Sequence, residues 1–320
     1  MNRHEPEPTL HDDAARAGWL YYVGGLTQDQ IAAELGVSRQ RAQRLVSRAM
    51  AEGLIQVRLN HRIGACLELE AALTARFHLT RCRVAPGLGP GIDPARAVAP
   101  AAAAELERVL RMPEPQVIAF GTGRALRAMA EQFTYPEPVK HRIVSLLGNI
   151  APDGSATLYD VISRIAEKLS ATYYPMPVPV ISDTPEEREF FMHLRPVRTV
   201  FDLASRADVT FVGVGQMGPD APLAVDGFVT AAVLKDLQRL GATGEIGSWI
   251  YDARGRYIDT PRNALVGGVR VEPGQSQPVI AVAAGAAKVP AIHAALLGRI
   301  VNSLVTDEPT ATALLQHKPA

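Results

Sequence analysis

Two groups of residues in this sequence have types and spacings that could do chemistry. The first is Arg39-Gln40-Arg41-Ala42-Gln43-Arg44, followed by Arg48. A guanidinium is a planar fork that matches the two acceptors of guanine, and a carboxamide matches adenine. The second group is spread along the chain. Gly121-Thr122-Gly123-Arg124 follows a short apolar run and precedes a helical stretch, so its backbone amides would face an anion at a helix N-terminus. Lys288 follows another apolar run, Val279 to Ala283, and would project a cation at the same sheet edge. Both parts of the second group have an ordinary alternative. Any strand-to-helix turn favours glycine, and an isolated lysine is commonly a solvated surface residue.

The elements that must position the first group are clear. Thr27 opens a helix and forms a capping box with Gln30. Ile31 and Leu35 face inward, and Gly36 ends the helix because glycine accepts a left-handed backbone. Val37 fills the turn and Ser38 caps the next helix. That helix carries Ala42, Leu45, Val46 and Ala49 at i, i+3, i+4, i+7, one apolar stripe. Gln40, Arg44 and Ser47 lie opposite, flanked by Gln43 and Arg48, with Arg39 and Arg41 in the first turn. A preceding helix, about Ala14 to Tyr22, supplies Ala17, Leu20 and Tyr21 as packing partners. Gln56-Val57-Arg58-Leu59 could add a short wing strand. The alternative is a solvated basic helix in an ordinary bundle. Such helices usually alternate bases with acids for i, i+4 pairing, whereas Arg39, Arg41, Arg44 and Arg48 meet no acid until Glu52. We expect a helix-turn-helix that docks on double-stranded operator DNA through Thr27, Ser38, Arg39, Gln40, Arg41, Gln43, Arg44 and Arg48. Arg39, Gln40, Gln43 and Arg44 would read bases, while Arg41 and Arg48 would hold phosphates.

A length of 320 residues exceeds one comfortable core. The expected division is an all-α helix-turn-helix domain over 1–60 and a larger effector and oligomerisation domain over 61–320. Hydrophobic residues make up 47% of the chain, which predicts a folded protein. No apolar run has the roughly 20 residues needed to span a bilayer. The segment MNRHEPEPTLHDD has no signal-peptide apolar core. A cytoplasmic location and no membrane partner are therefore expected. Formal net charge is zero, which excludes a uniformly basic nucleic-acid coat and confines any DNA binding to a local patch. Cys66 and Cys82 have no metal-ligand spacing and are expected to be buried free thiols. No metal and no cofactor are expected.

Beyond the first domain, apolar runs alternate with helical stretches. A helix from Cys66 to Phe77 faces Leu67, Leu69, Leu73 and Phe77 inward, with Glu68 and Glu70 outward. Gly87 to Pro100 reads as a surface loop. Strands are expected at Val117–Phe120, Arg142–Leu147, Val178–Ile181, Val209–Val214, Val279–Ala283 and Ile300–Val305. Helices are expected at Arg124–Gln132, Leu158–Ser170, Glu186–Arg206 with a kink at Pro196, and about Pro290–Leu297. This alternation predicts an α/β domain with a mostly parallel sheet and helices on both faces. Ligands on such sheets bind beyond the carboxyl ends of the strands.

Two stretches resemble the SorC family of sugar-responsive bacterial transcriptional regulators. They are ARAGWLYYVGGLTQDQIAAELGVSRQRAQRLVSRAMAEGLI and VIAVAAGAAKVPAIHAALLGRIVNSLVTDEPTATALL, with FGTGRAL, LLGN, VGVG and GEIGSWIYDARG between them. The resemblance covers nearly the whole chain. It implies a Rossmann-like α/β effector domain similar in fold to ribose-5-phosphate isomerases and glucosamine-6-phosphate deaminases. It also implies a homo-oligomer, usually a tetramer, and an effector that is a sugar, a polyol or a sugar phosphate. By the same resemblance Gly121, Thr122, Gly123 and Arg124 match the turn that holds the effector's phosphate or a hydroxyl end. Glu245 in GEIGSWIYD matches an acid near the sugar hydroxyls, Lys288 the lysine after the glycine turn, and Asp307 the acid of LVTDE. Asp307 has a second reading, as cap of a helix starting near Pro309. The chain departs from the family pattern at Asn149 and Ala284, where glycine is common. It departs again at Ala125, where a hydroxyl residue is common; this removes a donor from the phosphate turn and opens the way to an unphosphorylated sugar or polyol.

The rival function is a sugar-phosphate isomerase or deaminase carrying an added DNA-binding unit. The deaminases resemble this chain at Gly213-Val214-Gly215 and continue with Asp and then Gly-His. Here the continuation is Gln216-Met217-Gly218-Pro219. Met217 and Pro219 cannot transfer protons, so no catalytic residue and no enzyme activity are expected. A nucleoid-type structural DNA binder fits poorly with zero net charge and a large α/β domain.

Overall fold

A computed structural model describes residues 10–55, 63–135, 139–156 and 161–318. The chain divides into two compact units, Met1–His61 and Arg62–Ala320.

In the first unit, helices α1 (Leu10–Tyr22), α2 (Gln28–Leu35) and α3 (Arg39–Ala51) enclose a small core of Ala14, Ala17, Ile31, Ala32, Ala42, Leu45, Val46 and Ala49. Small residues let α1 and α3 approach closely. A methyl group on Gly18 would fall 2.8 Å from Ala49 Cβ. Both expected caps are present. The Thr27 amide donates to Gln30 Oε1 at 2.8 Å, and the Gln30 amide returns to Thr27 Oγ1. Gly36 closes α2 at φ +63°, and Ser38 accepts from the Arg41 amide. Leu20 packs on the core as expected, but Tyr21 points outward and is exposed. The suggested wing strand at 56–59 lies outside the described residues.

The second unit is built on a seven-stranded, all-parallel sheet in the order β1-β10-β9-β5-β2-β3-β4. The strands are β1 (Arg81–Ala85), β2 (Val117–Phe120), β3 (Arg142–Ile150), β4 (Tyr173–Pro179), β5 (Val209–Val212), β9 (Val279–Val282) and β10 (Ser303–Asp307). Side chains alternate across it as strand geometry requires. Ile118, Phe120, Val209 and Phe211 pack under α5 (Pro94–Leu110), α6 (Arg124–Gln132) and α7 (Val161–Leu169). Val117, Ala119, Val212 and Ala281 face α4 (Gly64–Phe77), α9 (Arg195–Ser205), α13 (Val289–Leu297) and α14 (Glu308–Gln316). Cys66 and Cys82 are free and buried. The remaining helices are α8 (Pro185–His193), α10 (Pro222–Val225), α11 (Ala231–Arg239) and α12 (Pro261–Ala264). A separate antiparallel sheet of β6 (Gly215–Gln216), β7 (Ala242–Ile246) and β8 (Trp249–Asp252) follows β5.

Several expectations move. Pro94 to Pro100 is not loop but the first part of α5, capped by Asp93. Proline fits the first helical turn and the alanine-rich run that follows is strongly helix-forming. The third strand lies earlier than Val178–Ile181 and contains Pro175, Pro177 and Pro179. It is an edge strand with one hydrogen-bonded neighbour, which is where a sheet tolerates residues without an N–H. The segment expected as one kinked helix is two, separated by Leu194 in extended backbone before Pro196. Glu70 is not outward: it accepts from the Val84 amide and pairs with Arg83, fastening α4 to β1.

Candidate functional site

On α3 the side chains follow the expected faces. Arg39, Gln40, Arg41, Gln43 and Arg44 are exposed, and Arg48 is partly so. The arginines are not free of acids, however. Arg39 pairs with Asp29 at 3.5 Å and Arg41 with Asp13 at 3.6 Å, both supplied by neighbouring helices, while Arg48 pairs with Glu52. Arg44 instead turns back to donate to the Gln40 carbonyl. Exposed pairs of this kind are worth about 0–1 kcal/mol, so they hold the side chains without committing them. Thr27 and Ser38 spend their hydroxyl acceptors on helix caps.

The second unit carries a cavity of about 270 Å³ beyond the carboxyl ends of β2, β5 and β9. The chain leaves β2 towards β3 on one side, and the chain leaving β5 arrives at β9 on the other. The crevice between β2 and β5 is thus a topological switch point. Four turns bring the polar groups together. Gly123, at φ +125°, admits the sharp entry into α6, whose first amides have no side-chain cap. Thr122, Gly123 and Arg124 therefore line the cavity. Gly213, Val214 and Gly215 form the floor after β5.

Glu245 arrives on β7, directly opposite Gly215 in the antiparallel ladder. A two-residue turn, Gly247-Ser248, has positive φ at both positions, the type I′ geometry that suits a tight hairpin. The turn aims the Ser248 amide at Glu245 Oε2, 2.8 Å away. Lys288 ends a short 3₁₀ turn that starts at Gly285. Burial pushes the Glu245 carboxyl up, opposed by the Ser248 amide and by Lys288. Burial pushes the Lys288 ammonium down, opposed by Glu245. Each is the other's attractive charge. The apolar part of the wall comes from Leu147, Val180, Leu223 and Phe228.

Thr122, Gly123, Arg124, Glu245 and Lys288 therefore converge on one cavity. Gly121 and Asp307 do not line it. The Gly121 amide bonds to the Phe211 carbonyl and keeps the turn on the sheet. Asp307 caps α14 by accepting from the Thr310 amide, and Thr310 Oγ1 in turn accepts from the Gly285 amide. Among the described residues, Asp307 is linked to the Lys288 turn through Thr310. Sequence reasoning missed Asp226, which pairs with Arg124 at 3.2 Å, and Asp153 on the rim. Asp226-Gly227 looks like an ordinary turn in sequence, and nothing local marks it as a cavity residue.

Comparison with known proteins bears on this architecture. Residues 61–316 match the family described as "Putative sugar-binding domain", and residues 17–61 match the MarR family. The chain is 35% identical over 302 residues to the erythritol catabolism regulatory protein EryD of Brucella abortus (strain 2308), covering 94% of this chain and 96% of that protein. It is 32% identical over 307 residues to the transcriptional regulator LsrR of Klebsiella pneumoniae, covering 94% and 92%. The solved full-length sorbitol operon regulator SorC of Klebsiella pneumoniae superposes with a TM-score of 0.71 at 27% identity, over 94% of this chain and 98% of that one.

The chain belongs to the SorC family of sugar-binding transcriptional regulators.

As a SorC-family member it combines a DNA-binding helix-turn-helix with a sugar-binding effector domain, and it is a regulator rather than an enzyme. Met217 is buried in a side cluster, and the Gln216 carboxamide folds back to accept from the Gly218 amide. Neither offers a group for proton transfer to a ligand. Among the described residues no helix is long and apolar enough to cross a membrane, and no group of three or more His, Cys, Asp or Glu side chains is placed to hold a metal ion.

Proposed function

We propose that this regulator binds operator DNA ahead of genes for the use of a sugar or polyol, and that a sugar, polyol or sugar phosphate in the cavity changes its operator affinity. The observation that carries the reading is the convergence of Thr122, Gly123, Arg124, Glu245 and Lys288 on one cavity, in a chain that also displays an arginine-rich recognition helix. The names of EryD and SorC, which refer to erythritol and sorbitol, support a small polyhydroxylated effector.

Arg39, Gln40, Gln43 and Arg44 meet base edges in the major groove, and Arg41 and Arg48 hold phosphates, with Thr27 and Ser38 fixing the two helix starts. The working form is a homo-oligomer, a tetramer, in the cytoplasm. Paired recognition helices then match paired half-sites. The effector acts by linkage: binding one quaternary arrangement better than another shifts DNA affinity by the difference, typically about 1–3 kcal/mol.

The test is fluorescence anisotropy on the DNA upstream of the protein's own operon, at fixed salt because phosphate contacts make affinity salt-dependent. Specific binding shifted by one member of a panel of sugars, polyols and their phosphates supports the reading. Binding no tighter than to random DNA overturns it.

A further inference from the structure

We infer that the effector is uncharged, a polyhydroxylated molecule without a phosphate group, and that Asp226 enforces this choice by neutralising Arg124. The inference rests on the sugar-binding reading above and narrows it.

The cavity wall holds two cations, Arg124 and Lys288, and three acids, Asp153, Asp226 and Glu245. Arg124 already faces an acid. Arg124 Nη2 lies 3.2 Å from Asp226 Oδ1. Lys288 feels the opposite charge of Glu245, then the like charge of Arg124, and more weakly the opposite charge of Asp93. Among the described residues of the lining, Arg124 is therefore not a spare cation for an anionic ligand. A phosphate monoester carries about −1.5 to −2 charge at neutral pH. Seating one here sets it against the Asp226 carboxylate beside Arg124, and like charges repel. The turn into α6 could offset some of this with its free amides. Ala125, however, adds no hydroxyl donor there.

The same wall suits hydroxyl groups well. A carboxylate accepts from two neighbouring O–H groups, while Lys288, Arg124 and the first amides of α6 donate to hydroxyl oxygens. Leu147, Leu223 and Phe228 supply apolar contact for the carbon chain.

The experiment uses the full chain and paired ligands: a tetritol, a pentitol and a hexitol, each with its own monophosphate. Direct binding is measured by titration calorimetry at fixed ionic strength, and operator affinity by anisotropy. The expected result is that an uncharged member binds and shifts operator affinity, with its monophosphate weaker on the order of tenfold or more. Asp226→Asn, checked for an unchanged melting transition, should take the opposing carboxylate away from Arg124 and narrow that ratio. Asp153→Asn, on the exposed rim, should narrow it in the same direction without touching the core. A monophosphate that binds more tightly than its parent overturns the inference and leaves the sugar-binding reading intact. An unchanged ratio in Asp226→Asn overturns the role given to Asp226, whatever Asp153→Asn does. Failure of every member to bind overturns both the inference and the reading beneath it.

Discussion

Gly215 and Glu245 face each other across the β6–β7 ladder, and the Glu245 carboxyl group occupies the space where any side chain on residue 215 would begin. A methyl group there would overlap the carboxyl group. Glycine at 215 is thus the condition for seating the acid over the cavity floor. Gly215→Ala should displace Glu245, cost about 1–3 kcal/mol of stability through overpacking, and remove most of the effector's influence on operator binding. DNA affinity without effector should stay near wild type. Anisotropy with and without saturating effector checks this. A variant that keeps the full response shows that the carboxylate is not needed in that position.

Arg44 has no ion pair among the described residues and bonds only to the carbonyl of Gln40, one turn back. It can exchange that bond for a base edge at little cost. Arg44→Ala should weaken operator binding by about 1–3 kcal/mol and relax preference at the position it reads. Arg48→Ala should weaken binding to all sequences alike and lower the salt slope by about one. Anisotropy titrations over a salt series, on operator and scrambled DNA, separate the two roles. Equal losses on both DNAs for Arg44→Ala would refute base reading by this side chain.

The hydroxyls of Thr27 and Ser38 satisfy backbone amides at the starts of α2 and α3. Alanine at either position should lower the stability of the DNA-binding unit by about 1 kcal/mol. Operator affinity at low temperature, where the unit remains folded, should change much less. A large affinity loss with no change in melting would instead assign the hydroxyl a direct DNA contact.

The parts of the molecule legible in sequence were those governed by local rules. Caps at Thr27 and Ser38, the stripe on α3 and the glycine turns of the parallel strands each announce themselves within a few residues. What was hidden depends on distant chain segments. Asp29 and Asp13 reach the arginines of α3 from other helices, and Asp226 reaches Arg124 from a loop 102 positions away. The strand β1 and the three-stranded sheet were missed because their runs are short and mixed in polarity. The helix α5 was missed because Pro94 and Pro100 resemble loop punctuation. The pairing of Arg124 with Asp226 at the cavity is visible only once these segments meet.

Glu105 on α5 anchors β1 by accepting from Arg81, Arg83 and Arg108 at 2.8–3.0 Å while only 4% exposed. Burial alone would push its carboxyl up; the hydrogen bonds from Arg81 and Arg108 outweigh burial and bring it down to about 2. The sign follows from linkage. An acid whose folded value lies below its unfolded value adds stability that is fully present above about 4.5 and is lost as the pH falls towards 2. Glu105→Gln should therefore cost about 3 kcal/mol near neutral pH, since it removes one partner of a buried ionic cluster. The gap between wild type and variant should close as the solution is acidified through that window. Calorimetric melting of both proteins over a series of acidic buffers checks it. Curves that remain parallel down to about pH 3 would show that the ionised carboxylate does not hold α5 to β1.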